Sequence, residues 1–97
     1  MRYLDVQWIH TDPDDPIELV SELDDDAYET RKVEVFRDGS MGFASEKESV
    51  GSTQLGDQPV PSLEEIAADP QFEPRWISKE EFEALWAKRR SVIATSR

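Results

Sequence analysis

The feature that most constrains this chain is a change of period near residue 61. Before it, apolar and polar residues alternate in short runs separated by turn residues; after it come two helix-start signatures. A period of two sends side chains to alternate faces of a strand, whereas a period of 3.6 gathers them on one stripe of a helix. The chain is therefore expected to place strands first and helices last, an α+β arrangement.

Residues 2–10, RYLDVQWIH, alternate, with Leu4, Val6 and Trp8 on one side and Tyr3, Asp5, Gln7 and Ile9 on the other. The two prolines and three aspartates of residues 11–16 suit a turn. Residues 17–23 alternate again, with Ile17, Leu19 and Leu23 expected to face in and Glu18 and Glu22 to face out. Asp24, Asp25, Asp26 and Ala27 read as a hairpin loop. A third strand spans residues 28–37, with Val33 and Val35 on its core face. Asp38-Gly39 is the strongest hairpin signal, because glycine readily takes the positive φ that such turns demand. Met41 to Ser45 is the returning strand. Residues 46–61 are polar and rich in Gly, Ser and Pro, with room for a short strand around Thr53–Leu55. A loop of that length in a small domain is either mobile or functional.

Ser62-Leu-Glu-Glu65 and Ser78-Lys-Glu-Glu81 are both capping boxes, in which the serine hydroxyl accepts from a backbone N–H and the glutamate reaches back. Pro70 ends the first helix by about Asp69. Ile77 and Phe82 sit at the staple positions of the second, and Phe82, Leu85 and Trp86 form its apolar face. Lys88, Arg89 and Arg90 suit the negative end of its dipole. The expected fold is an antiparallel four-stranded β-meander with two C-terminal helices packed on one face. The helices cover it with Leu63, Ile66, Phe82, Leu85 and Trp86. Residues 1–90 make a single domain, and residues 91–97 are expected to fray as a tail.

A chain of 97 residues buries only about two-thirds of its unfolded surface, so the core is thin. It has no cysteine, which excludes disulfides and thiolate chemistry and fits a cytoplasmic location. Residues 1–10 lack the apolar stretch of a signal peptide, and no run approaches the roughly 20 apolar residues of a membrane span. With 22 acids against 11 Lys and Arg, binding to nucleic acid through phosphates is not expected.

Catalytic and metal chemistry find little support. His10, Asp12, Asp14 and Asp15 lie close together, but an EF-hand needs Gly at its sixth position and Glu at its twelfth. Counting from Asp12 gives Ile17 and Leu23; counting from Asp24 gives Glu29 and Val35. The two acidic turns also cap opposite ends of a strand about 23 Å long and cannot share an ion. There is one histidine, no nucleophile elbow and no glycine-rich phosphate loop. No enzyme, cofactor or metal is expected.

The acid is unevenly spread. Residues 1–30 hold ten acidic side chains and one basic one, Arg2, which accounts for nine of the eleven net negative charges. Glu18 and Glu22, if outward, join the two acidic turns into a negative stripe. Such a stripe either keeps the protein soluble or complements a basic protein partner. Tyr28 and Phe36, on the third strand's face opposite Val33 and Val35, are candidate aromatic anchors for that partner. The expected partner-binding residues are Asp14, Asp15, Glu18, Glu22, Asp24, Asp25, Asp26, Tyr28 and Phe36. The alternative is a small-ligand or metal-binding protein using His10 and the Asp12–Asp15 turn.

Three segments carry a family resemblance: MRYLDVQWIH, LVSELDDDAYETRKVEVFRDGSMGFAS and VPSLEEIAADPQFEPRWISKEEFEALW. Over residues 1–87 the chain resembles a bacterial family known as domain of unknown function 6881. The resemblance implies a stand-alone bacterial domain and carries over no activity, cofactor or catalytic residue. The layout and charge also resemble those of small immunity proteins of toxin systems.

Overall fold

A computed structural model describes residues 1–51 and 53–95, with side chains as far as Lys88. The strands β1 (Arg2–Trp8), β2 (Glu18–Leu23), β3 (Glu29–Val35) and β4 (Met41–Ser45) form where alternation predicts them. Two more follow: β5 (Ser49–Val50) and β6 (Phe72–Ile77). Helix α1 (Leu63–Ala67) precedes β6, and α2 (Lys79–Thr95) follows it. All neighbours pair antiparallel, in the order β5-β4-β3-β2-β1-β6. The sheet thus has six strands among the described residues, not the four expected. The tail expected over residues 91–97 begins within α2, and its last two residues lie outside those described.

The two tight hairpins are built alike. The β3–β4 turn closes with Phe36 N–H on the Ser40 carbonyl (2.9 Å) and Gly39 N–H on the Phe36 carbonyl (2.9 Å), with Gly39 at φ +89°. The β2–β3 turn repeats this with Asp24 N–H on the Tyr28 carbonyl (3.0 Å) and Ala27 N–H on the Asp24 carbonyl (3.0 Å). There the left-handed position is held by Ala27 at φ +67°, a conformation that strains any residue with a Cβ.

Strand β6 pairs along the whole of β1, from Tyr3↔Ile77 to Trp8↔Phe72. Ile9 N–H donates to the Gln71 carbonyl (2.7 Å), while Trp8 N–H donates to the Ile17 carbonyl (2.8 Å). Odd residues of β1 therefore bond to β6 and even residues to β2. Pro74, opposite Val6, falls on an outward position of this edge strand, where a missing N–H costs no ladder bond.

The largest departure from expectation concerns the helices, which cover opposite faces. On one face Tyr3, Val20, Val33 and Phe43 pack with Phe82 of α2, which has no exposed surface. Val35, Met41, Ile77, Leu85 and Trp86 surround that cluster. On the other face Leu4, Val6 and Leu23 pack with Leu63 and Ile66 of α1, joined by Leu19, Val60 and Phe72. Fully burying a phenylalanine contributes about 1.5–3 kcal/mol, so Phe82 anchors α2. The sheet is a middle layer with no solvated face over β1 and β2.

Both helices start as their capping boxes predict. Ser62 Oγ accepts from Glu65 N–H (3.2 Å), and Ser78 Oγ accepts from Glu81 N–H (3.1 Å). The second box is reciprocal, since Ser78 N–H donates to Glu81 Oε1 (3.2 Å). The 46–61 segment is tied down as a strap. After β5 it crosses the α1 face of β3 and β4, where buried Thr53 donates to Glu34 Oε1 (2.6 Å). Gly56 N–H then donates to Glu29 Oε1 (2.7 Å), and Val60 N–H to the Ala27 carbonyl (2.8 Å). Gly42 makes room for it: a Cβ there would collide with the Thr53 side chain.

Candidate functional site

The acidic stripe expected along β2 does not exist as a surface. Glu18, Val20 and Glu22 share the face that α2 covers, while Leu19 and Leu23 share the α1 face. Glu22 is 7% exposed and accepts from four groups. These are Tyr3 Oη (3.1 Å), Thr30 Oγ1 (2.7 Å), and Arg31 through Nε (2.9 Å) and Nη2 (2.6 Å). A β-bulge between Glu22 and Leu23 makes Thr30 the extra residue and sets Arg31 opposite Glu22. Arg31 also donates to both carboxylate oxygens of Glu83 on α2 (2.9 and 2.8 Å). Its guanidinium lies 4.8 Å from the Phe82 ring centre and 5.2 Å from that of Trp86. The hydrogen bonds from Arg31 hold the Glu22 carboxyl down to about 2, against the upward push of burial. Arg31 likewise lowers Glu83, and both carboxylates raise Arg31. This network locks α2 to the sheet and uses up one of the acids meant for a partner.

Glu18 is also drawn inward. Its Oε2 accepts from Gln7 Nε2 (2.9 Å), the residue opposite it on β1. Burial, and then the neighbouring Asp5 carboxyl, push its carboxyl up to about 7. Asp5 is 3% exposed and accepts from Arg75 Nη2 on β6 (3.0 Å). The correction is physical: a second helix turns the face expected to be wet into core, and Val20, in phase with both glutamates, is the residue that signals it.

The remaining candidates divide between the two ends of the strands. At one end Asp12 Oδ1 accepts from Asp14 N–H (2.9 Å), so this aspartate shapes the turn; Asp14 is exposed and Asp15 half-buried. His10 closes the same turn, with Nδ1 accepting from Asp12 N–H (3.0 Å) and Nε2 2.8 Å from the Pro16 carbonyl. Nε2 therefore carries the proton, and both ring nitrogens are engaged in holding the turn. Among the described residues no group of three or more His, Asp and Glu side chains is placed to hold a metal ion. Phe36 is half-buried at this end, closing the β3–β4 hairpin.

At the other end Asp24 Oδ1 accepts from Asp26 N–H (2.9 Å) and Tyr28 N–H (3.0 Å). Asp25 and Asp26 are exposed, and Tyr28 is 41% exposed beside them. Tyr28 and Phe36 are thus separated by the length of β3 and do not form one patch. The bond from Val60 to Ala27 brings the Asp24–Asp26 turn alongside the start of α1. Exposed Glu64 and Glu65 extend the acid along that helix, and exposed Asp69 lies just past its end. Among the described residues none of these acids sits in an ion pair.

Between α1 and the sheet lies a cleft of about 320 Å³. Leu4, Val6, Leu19, Val60, Ile66 and Phe72 line it, with Ser21, Glu29 and Lys32 along one wall and Glu65 and Asp69 at the helix. A second cleft of about 420 Å³ on the same face includes Trp76, which is 45% exposed beneath Arg2 (5.1 Å from its ring centre). Sequence reasoning missed this face because β6 supplies Phe72 and Trp76. The sole hint was a five-residue α1 with two acids and only two core-facing residues.

A six-stranded antiparallel sheet with one short and one long helix on opposite faces defines a small α+β domain without a metal cluster among the described residues. Residues 2–91 match the family described as Domain of unknown function (DUF6881), and the chain belongs to that family. No curated protein and no solved structure matches it.

Proposed function

We propose that this protein is a non-enzymatic protein-binding module, an immunity- or antitoxin-like inhibitor of a basic partner, acting in the cytoplasm. The observation that carries the reading is the α1 face, where Glu65 and Asp69 line an apolar cleft, Glu64 lines the next one, and exposed Asp25 and Asp26 stand on the neighbouring turn, none of them in an ion pair among the described residues. An apolar centre with a polar, charged rim is the usual anatomy of a protein interface. The acids steer a basic partner and set its orientation; the cleft takes an apolar side chain. Asp24 holds the turn that presents Asp25, Asp26 and Tyr28. Asp14 and Asp15 lie at the far end of the strands and add only long-range attraction, while Glu18 and Glu22 play no direct part.

The test is affinity capture from a native lysate at low and high salt. Wild type is compared with a Glu64→Lys, Glu65→Lys, Asp69→Lys triple variant and an Asp12→Lys, Asp14→Lys control. One basic protein held at low salt, released at high salt, lost by the triple variant and kept by the control is the expected result. Equal capture by all three proteins would contradict the assignment of this face.

A further inference from the structure

Asp5 and Glu18 occupy neighbouring same-face positions on adjacent strands: Asp5 is opposite Val20, and Glu18 is opposite Gln7. Asp5 is almost wholly buried, and Arg75 satisfies only its Oδ2. Its Oδ1 is buried with no hydrogen-bond partner. A buried carboxylate oxygen facing a second carboxylate is unfavourable twice over, through the missing donor and through like-charge repulsion. One proton removes both penalties, because a protonated carboxyl has an O–H to donate. Arg75 is hydrogen-bonded to Asp5, whereas Glu18 has only the Gln7 amide, so the proton belongs on Glu18. Gln7 already donates to Glu18 Oε2, which leaves Oε1 to carry it.

We propose that Asp5 and Glu18 form a shared-proton carboxyl pair, a pH-sensitive latch between the β1–β2 hairpin and the edge strand β6. The surroundings do not supply a substitute for the proton. Arg75 is 61% exposed and divides its charge between Asp5 and Glu81 on α2 (3.9 Å). Lys88 of α2 lines the same cavity, of about 330 Å³, with Asp5, Arg75 and Glu81. Glu73, opposite Gln7 on β6, adds a further negative charge. Burial and Asp5 place the Glu18 carboxyl near neutrality, so the latch loosens as pH rises through about 7. Two adjacent anions then share one guanidinium, and β6, which has β1 as its sole strand neighbour among the described residues, is the element released.

Carbon NMR of the glutamate side-chain carboxyls across pH 4–9, assigned by through-bond correlation, tests this in the intact protein. The Glu18 carbon is expected to titrate with a midpoint near 7. Over the same range, amide exchange of Glu73, Arg75 and Ile77, corrected for intrinsic rates, is expected to accelerate relative to β2 and β3. Asp5→Asn should lower the proton affinity of Glu18 by about tenfold. A Glu18 midpoint near the ordinary 4.5 would overturn the proposal. So would a raised midpoint indifferent to Asp5→Asn, since burial alone would then account for it.

Discussion

Glu18 and Glu22 are the same residue type on the same strand, facing the same helix, yet they hold opposite states of charge. Glu22 meets a guanidinium donating through two nitrogens, together with two hydroxyls, and stays ionised down to about 2. Glu18 meets an amide and a buried carboxylate and is pushed up to about 7. Burial raises both and is the largest cause at Glu18, where Asp5 adds to it; at Glu22 the hydrogen bonds from Arg31 outweigh it. One end of β2 is thus fastened by an ion-pair network and the other by a proton. The network end is insensitive to mild pH change, whereas the proton end responds near neutrality.

Breaking the network end should have the largest effect. Arg31→Ala leaves Glu22 buried without its cation and uncovers Phe82 and Trp86. A loss of about 3 kcal/mol is expected from urea unfolding. Arg75→Ala at the other end strips Asp5, but Arg75 is 61% exposed and screened by solvent. A loss of about 1–2 kcal/mol is expected for it, and a loss equal to that of Arg31→Ala would erase the contrast between the ends. Ala27→Gly sharpens the comparison by relieving strain beside the network without touching a charge. At φ +67° it should raise stability by about 1 kcal/mol in the same assay. Glu18→Gln should change stability at pH 5 by no more than about 0.5 kcal/mol, because the amide replaces a protonated carboxyl as donor to Asp5.

Much of this fold is legible in the sequence, and the failures share a cause. Asp38-Gly39, the Asp24–Ala27 loop and both serine capping boxes act through local backbone chemistry and form as read. Strand β6 is hidden because Pro74 argues against a strand, and only an edge position opposite β1 makes it harmless. The facing of Glu18 and Glu22 is hidden because period-two alternation names two faces but not which are covered. Tyr3 and Val20 mark the second covered face, yet between charged neighbours they read as exceptions, and Val33, which reads as core, does not say which face it shares. The pairing of Glu22 with Arg31 is set by a bulge, which no local signal announces. The acidic rim on α1 needed the chain to be folded, since Val60 and Ala27 must meet before the two acidic segments adjoin.

The most direct test of the two-ended account is urea unfolding of wild type and Glu18→Gln from pH 2 to pH 8.5. Glu22 is held at about 2 when folded against 4.5 ordinarily, so its stabilisation is present above pH 4.5 and is lost as pH falls towards 2. Glu18 stands at about 7 when folded against 4.5, so its contribution is full below pH 4.5 and is lost as pH rises through 7. Wild type should be most stable near pH 4.5–5 and weaken on both sides, while Glu18→Gln keeps the acid limb and loses most of the decline between pH 5 and 7. Wild type gaining stability steadily up to pH 8.5, or an unchanged decline in Glu18→Gln, would contradict it.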